Sequence, residues 1–111
     1  MLIENKMEVR LRKSPNPKKK WRVTFPEGKS VDFGAAGMSD FTLHKNPIRM
    51  RSYVKRHSGM GETWSKKGLR TAGFWSRWLL WSKPSLNEAI KFMNNRFGLK
   101  IKRVRTGLRR T

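Results

Sequence analysis

Cysteine is absent from this 111-residue chain, so it can form no disulfide and no thiolate site. Histidine is scarce, with His44 and His57 the only two. A zinc site needs three or four ligands, and two histidines without cysteine do not assemble one convincingly. Carboxylates number seven against 27 lysines and arginines. General acid–base chemistry therefore has few side chains to work with. No apolar run approaches the roughly 20 residues a membrane span requires. The stretch Met1-Leu2-Ile3-Glu4-Asn5-Lys6 also lacks the apolar centre of a secretory leader. These absences lead us to expect a protein that is not an enzyme, holds no metal or cofactor, has no membrane span and is not secreted.

What the chain does carry is charge and tryptophan. A net charge of +20 opposes compaction and attracts polyanions. Nucleic acid, an anionic membrane surface and acidic protein surfaces are the partner classes this opens. Five tryptophans argue against a charged tail without a fold. Three of them lie in Thr71-Ala72-Gly73-Phe74-Trp75-Ser76-Arg77-Trp78-Leu79-Leu80-Trp81. At about 100° per residue, Phe74, Trp75, Trp78, Leu79 and Trp81 fall on one broad arc of a helix surface, about 160° wide, with Leu80 outside that arc. Such a helix is buried or presses one face on a partner. The rest of the chain is expected to pack around it.

Alternation at Met7, Val9 and Leu11 reads as a short strand, broken by Ser14-Pro15-Asn16-Pro17. Residues 1–20, ending in Lys18-Lys19-Lys20, are expected to form a basic arm. Trp21, Val23 and Phe25 alternate with polar residues, Pro26-Glu27-Gly28-Lys29 is turn chemistry, and Val31 and Phe33 resume the alternation. This is a hairpin. Gly34-Ala35-Ala36-Gly37 matches no phosphate-loop pattern and reads as a connector. Asp40 and then Asn46-Pro47 each start a helix. In the second, Met50, Tyr53, Val54 and His57 share a face, and Gly59 and Gly61 end it. Ser85-Leu86-Asn87-Glu88 is a capping box. Leu86, Ala89, Ile90, Met93 and Phe97 form one apolar stripe closed by Gly98. Leu99 and Ile101 predict a last strand that joins the hairpin sheet. The expected architecture is α+β: a folded domain over 21–102 with about three main helices, and a basic tail over 103–111.

The candidate polyanion or protein contacts are spread widely. They are Arg10, Arg12, Lys18, Lys19 and Lys20 near the start, and Arg49, Arg51, Lys55 and Arg56 on the second helix. Lys66, Lys67 and Arg70 follow in a loop, Arg77 lies in the tryptophan-rich run, and Lys102, Arg103, Arg105, Arg109 and Arg110 come near the end. Spread charge suits non-specific phosphate contact or a protein set among acidic neighbours. Trp64, Phe74, Trp75, Trp78 and Trp81 are the candidate core or apolar interface. Arg77 can stack on an indole or pair with a carboxylate, but an exposed arginine on the polar stripe is the simpler expectation. Asp40 and His44 are helix neighbours that read as a local contact rather than a catalytic pair, and His57 as a satisfied core histidine.

The order of these motifs resembles a family of small basic proteins of unknown function encoded by giant DNA viruses of algae and amoebae. The resemblance runs from about Trp21 to Ile101. It is carried by Phe33-Gly34, by Ser39-Asp40-Phe41-Thr42-Leu43-His44-Lys45, by Arg49 through Tyr53 to Arg56-His57, and most specifically by residues 72–81 with Lys83-Pro84. It implies a viral setting and assigns no catalytic residue. With the charge, it leads to an expected minor capsid-type component of the virion that bridges capsid or other virion proteins with acidic surfaces. The alternative is a non-specific DNA- or RNA-binding protein that packages the genome.

Overall fold

The computed structural model describes residues 5–104. It is an α+β fold, a single compact domain. Strand β1 (Met7–Lys13) is followed by β2 (Lys19–Thr24), β3 (Ser30–Ala35) and the four-residue helix α1 (Phe41–His44). Helix α2 spans Pro47–Ser58, and a 3-10 turn covers Lys66–Gly68. A short helix α3 (Ala72–Trp75) runs directly into a π-turn at Ser76–Leu80. Helix α4 (Leu86–Phe97) and strand β4 (Leu99–Arg103) complete the order.

The sheet order is β3-β2-β1-β4. Of the expected arm over residues 1–20, residues 1–4 lie outside the described residues, and the strand pairing corrects the reading from Met7 onward. Strand β1 is an interior strand, antiparallel to β2 and parallel to β4, with Val9 opposite Ile101. Val9 and Leu11 are fully buried. The proline-rich break is a hairpin turn, not a release of the chain. Ser14 Oγ accepts from Asn16 N–H at 3.0 Å, Asn16 Oδ1 accepts from Lys18 N–H at 2.9 Å, and Lys19 N–H reaches Asn16 O at 3.0 Å. The two polar side chains thus organise a turn around the prolines. Strand β4 joins the sheet as expected, but it pairs with β1 rather than with the β2–β3 hairpin.

Alternation sets one apolar face. Val9, Leu11, Val23, Phe33, Leu99 and Ile101 pack with Phe74, Trp75, Leu79 and Leu80, and with Ala89, Met93 and Phe97 of α4. The tryptophan-rich run is the centre of this core, with one revision. Leu80, which a regular helix would turn outward, is buried because the π-turn widens the coil after Trp75. Trp78 and Trp81 are consequently only half-buried. Gly34 makes room for the shifted leucine: its φ is +80°, and a Cβ there would meet Leu80 Cδ1 at 2.9 Å.

The capping box at α4 forms with altered geometry. Ser85 Oγ accepts from Glu88 N–H at 3.1 Å, while the Glu88 carboxylate takes the Ser85 hydroxyl at 3.0 Å. Asn46 Oδ1 caps α2 by accepting from Ile48 and Arg49 N–H. Among described residues, Tyr53 is the only buried side chain of α2. Tyr53 lies parallel to Trp81 at 4.4 Å, an aromatic stack between α2 and the tryptophan-rich run, and against His57 of its own helix at 4.1 Å.

Candidate functional site

The helices cover one face of the sheet, and the opposite face is where strand alternation puts charge. Arg10 and Arg12 on β1, Arg22 on β2, and Lys100 and Lys102 on β4 occupy the positions between the buried residues. Two carboxylates share this face. Asp32 receives Arg22 through two hydrogen bonds, Nε at 2.6 Å and Nη2 at 3.0 Å. This bond holds the Asp32 carboxyl below its ordinary range and raises Arg22. Glu8 lies 3.7 Å from Lys102. Positive charge remains in excess on the face. It carries no aromatic side chain on which a base could stack.

A second basic surface is α2, where Arg49, Arg51, Lys55 and Arg56 are exposed. The burial of Tyr53 beneath it raises the phenol to about 12, with the Glu62 carboxylate adding to the shift. Glu62 also accepts from the Trp64 indole at 2.9 Å and bonds the His57 ring at 3.0 Å. His57 is therefore satisfied at Nδ1, but it is half-buried rather than the core histidine expected. Tyr53, Arg56, His57 and Glu62 border a cleft of about 350 Å³ that also takes in Lys19, Lys20 and Asp40.

Several predicted contact residues have partners within the protein, some at its surface. Arg70 forms a two-point pair with Glu27 at 2.5 and 2.9 Å and lies 4.9 Å over the Phe25 ring. Lys20 pairs with the buried Asp40 at 2.5 Å. Arg77 is not an exposed arginine on a polar stripe. It is half-buried, 4.3 Å over Trp78 and 5.5 Å from Trp64, and it donates to Trp81 O at 2.7 Å. Burial lowers its pKa, and its Nε has no hydrogen-bond partner among the described residues. Lys18, Lys19, Lys66, Lys67 and Lys102 remain exposed, as does Arg103, whose guanidinium lies 5.8 Å from the half-buried Trp21 ring. Arg105, Arg109 and Arg110 lie outside the described residues.

Of the apolar candidates, Phe74 and Trp75 are core, whereas Trp64, Trp78 and Trp81 are half-buried supports. Trp75 donates to Leu69 O at 2.6 Å, and Trp78 to Trp64 O at 2.7 Å. Asp40 and His44 have separate partners. Asp40 caps α1 through Thr42 N–H at 2.9 Å, and His44 Nδ1 accepts from Asn46 N–H at 2.9 Å. Burial lowers the His44 pKa. No cluster of three or more metal-ligating acids or histidines occurs among the described residues. Reading charge as runs missed Lys13 and Arg22. The alternation of β1 and β2 places both, and only the pairing of those strands shows what they face.

The fold and surface define a small α+β domain with one uncovered, cationic sheet face. Over residues 9–57 the chain is similar to a family of unknown function (DUF5754). That stretch holds most of β1, all of β2, β3 and α1, and all of α2 but its last residue, and stops short of the tryptophan-rich run. No curated protein and no solved structure matches the chain. Among described residues, no helix is long and apolar enough to cross a membrane.

Proposed function

We propose that this protein is a small, non-enzymatic structural component that binds acidic protein neighbours, as a minor capsid-type protein of a large DNA virus particle. The observation that carries the binding reading is the open sheet face, where Arg10, Arg12, Arg22, Lys100 and Lys102 outnumber Glu8 and Asp32. Such a face is built once the fold forms and needs no partner to order it. Exposed Met38, Leu43, Ile48 and Met60 favour a protein neighbour, because phosphate backbones offer apolar side chains nothing to bury. The viral setting rests on the family resemblance of residues 21–101.

Genome binding is the second reading. It is favoured by the same face, which lacks stacking aromatics and so suits phosphate contact without sequence preference. Purified particles treated with nuclease and washed in high salt separate the two. A shell component stays with the capsid proteins, since salt screens charge but leaves apolar contact intact. Release with the DNA, or absence from particles, refutes the structural reading.

A further inference from the structure

At the end of the sheet, the β1–β2 turn, the β3–α1 connection and the start of α4 enclose a groove of about 680 Å³. Its apolar lining includes Pro17, Trp21, Leu43 and Leu86. Leu43 is 63 % exposed on the four-residue helix α1. Covering that side chain would remove apolar surface from water, which is favourable. Lys13 and Lys19 line the same groove and are exposed. Among the described residues the one carboxylate there, Asp40, is buried and already paired with Lys20. The groove therefore presents apolar surface together with cations whose charge no other described residue within it offsets.

We propose that this groove docks an extended acidic peptide segment of a partner protein, with one apolar side chain seated on Leu43 and Trp21 and its carboxylates met by Lys13 and Lys19. Charge complementarity selects the occupant. A second copy of this chain, at +20, would be repelled, and a nucleic acid would leave the apolar lining unused. The inference rests on the protein-binding reading above and gives it a specific seat, separate from the open sheet face. All the lining residues except Ser85 and Leu86 fall within the stretch similar to the family of unknown function.

The test is calorimetric titration of the full-length protein with three probes. One is a synthetic Asp/Glu-rich peptide with a central Phe, the second is the same peptide with Ser for Phe, and the third is a single-stranded oligonucleotide of equal net charge. The Phe peptide is expected to bind at least roughly tenfold more tightly than the Ser peptide, the worth of burying one large apolar side chain. Leu43→Ser should erase that advantage while leaving the Ser peptide and the oligonucleotide unchanged. Leu43 is exposed, so this variant should keep the parent's circular dichroism and melting. Lys13→Ala with Lys19→Ala should weaken both peptides. Equal affinity of the two peptides, or a Phe advantage that survives Leu43→Ser, overturns the groove proposal. Oligonucleotide binding that alone depends on Leu43 overturns it in favour of nucleic acid. If the groove variants have no effect but Arg10→Ala with Arg12→Ala abolishes peptide binding, the groove fails while the acidic-partner reading stands.

Discussion

Replacing Trp75 tests the centre of the architecture. Its indole is fully buried, lies 6.2 Å from Phe25, 6.0 Å from Phe33 and 5.8 Å from Phe74, and donates to Leu69 O at 2.6 Å. Trp75→Ala removes the largest fully buried side chain, at a cost of about 3–5 kcal/mol. It also leaves a buried carbonyl without its donor, for roughly 1–3 kcal/mol more. A small domain holds about 5–15 kcal/mol in all, so the variant should lose most of it and unfold without a sharp transition. Trp78 makes the control. It is only half-buried, so Trp78→Ala should cost about 2–3 kcal/mol. Its cooperative transition should survive, with Tm lowered by roughly 10–20 °C. Far-ultraviolet circular dichroism during urea and thermal unfolding is the assay, because fluorescence would mix signals from the other tryptophans. Equal losses at the two positions would show that both face the same environment and that the π-turn is misplaced. A Trp75→Ala protein that melts like the parent would refute the core itself.

Ser85→Ala should destabilise the domain by about 0.5–2 kcal/mol in urea titration, because Glu88 N–H loses its acceptor, whereas Ser85→Asp should be nearly neutral. Equal losses would mean α4 does not begin there. Gly68→Ala should lower Tm sharply, since its Cβ would lie 2.0 Å from Thr63 O; a wild-type melt would refute this backbone approach. Glu27 is held at about 2 by its hydrogen bonds from Arg70, below an ordinary 4.5. A depressed folded-state pKa means the pair contributes above the unfolded value and is lost as pH falls from about 4.5 toward about 2. Arg70→Ala should return the Glu27 titration, followed by NMR, toward the ordinary value, and no change would show that the pair does not form in solution.

Local pattern carried much of this architecture. The β2–β3 hairpin follows from two alternating runs around Pro26-Glu27-Gly28-Lys29, and α4 from Ser85, an apolar stripe and Gly98. Each signal lies within a few residues, where periodicity and capping act. The buried centre at Phe74 and Trp75 was equally legible, because so much apolar surface in a chain of +20 has nowhere else to go. The candidate site was legible only as an excess of charge. Which cations are paired within the protein depends on partners far along the chain: Arg70 on Glu27, Lys20 on Asp40, and Arg77 on Trp64.

By itself, then, the sequence determined the excess of positive charge, the hairpin, the capped last helix and the aromatic core. Those properties belong to composition or to neighbours in the chain. Tertiary structure decided that β1 is an interior strand, since its two pairings join Leu11 to Val23 and Val9 to Ile101. It also decided that Leu80 turns inward over Gly34 and that some of the spread cations are paired within the protein while others lie on the open sheet face, on α2 and in the loops. Contacts between residues distant in sequence leave no periodic trace. They are chosen when the apolar faces of separate elements find each other and the charged residues take whatever surface remains.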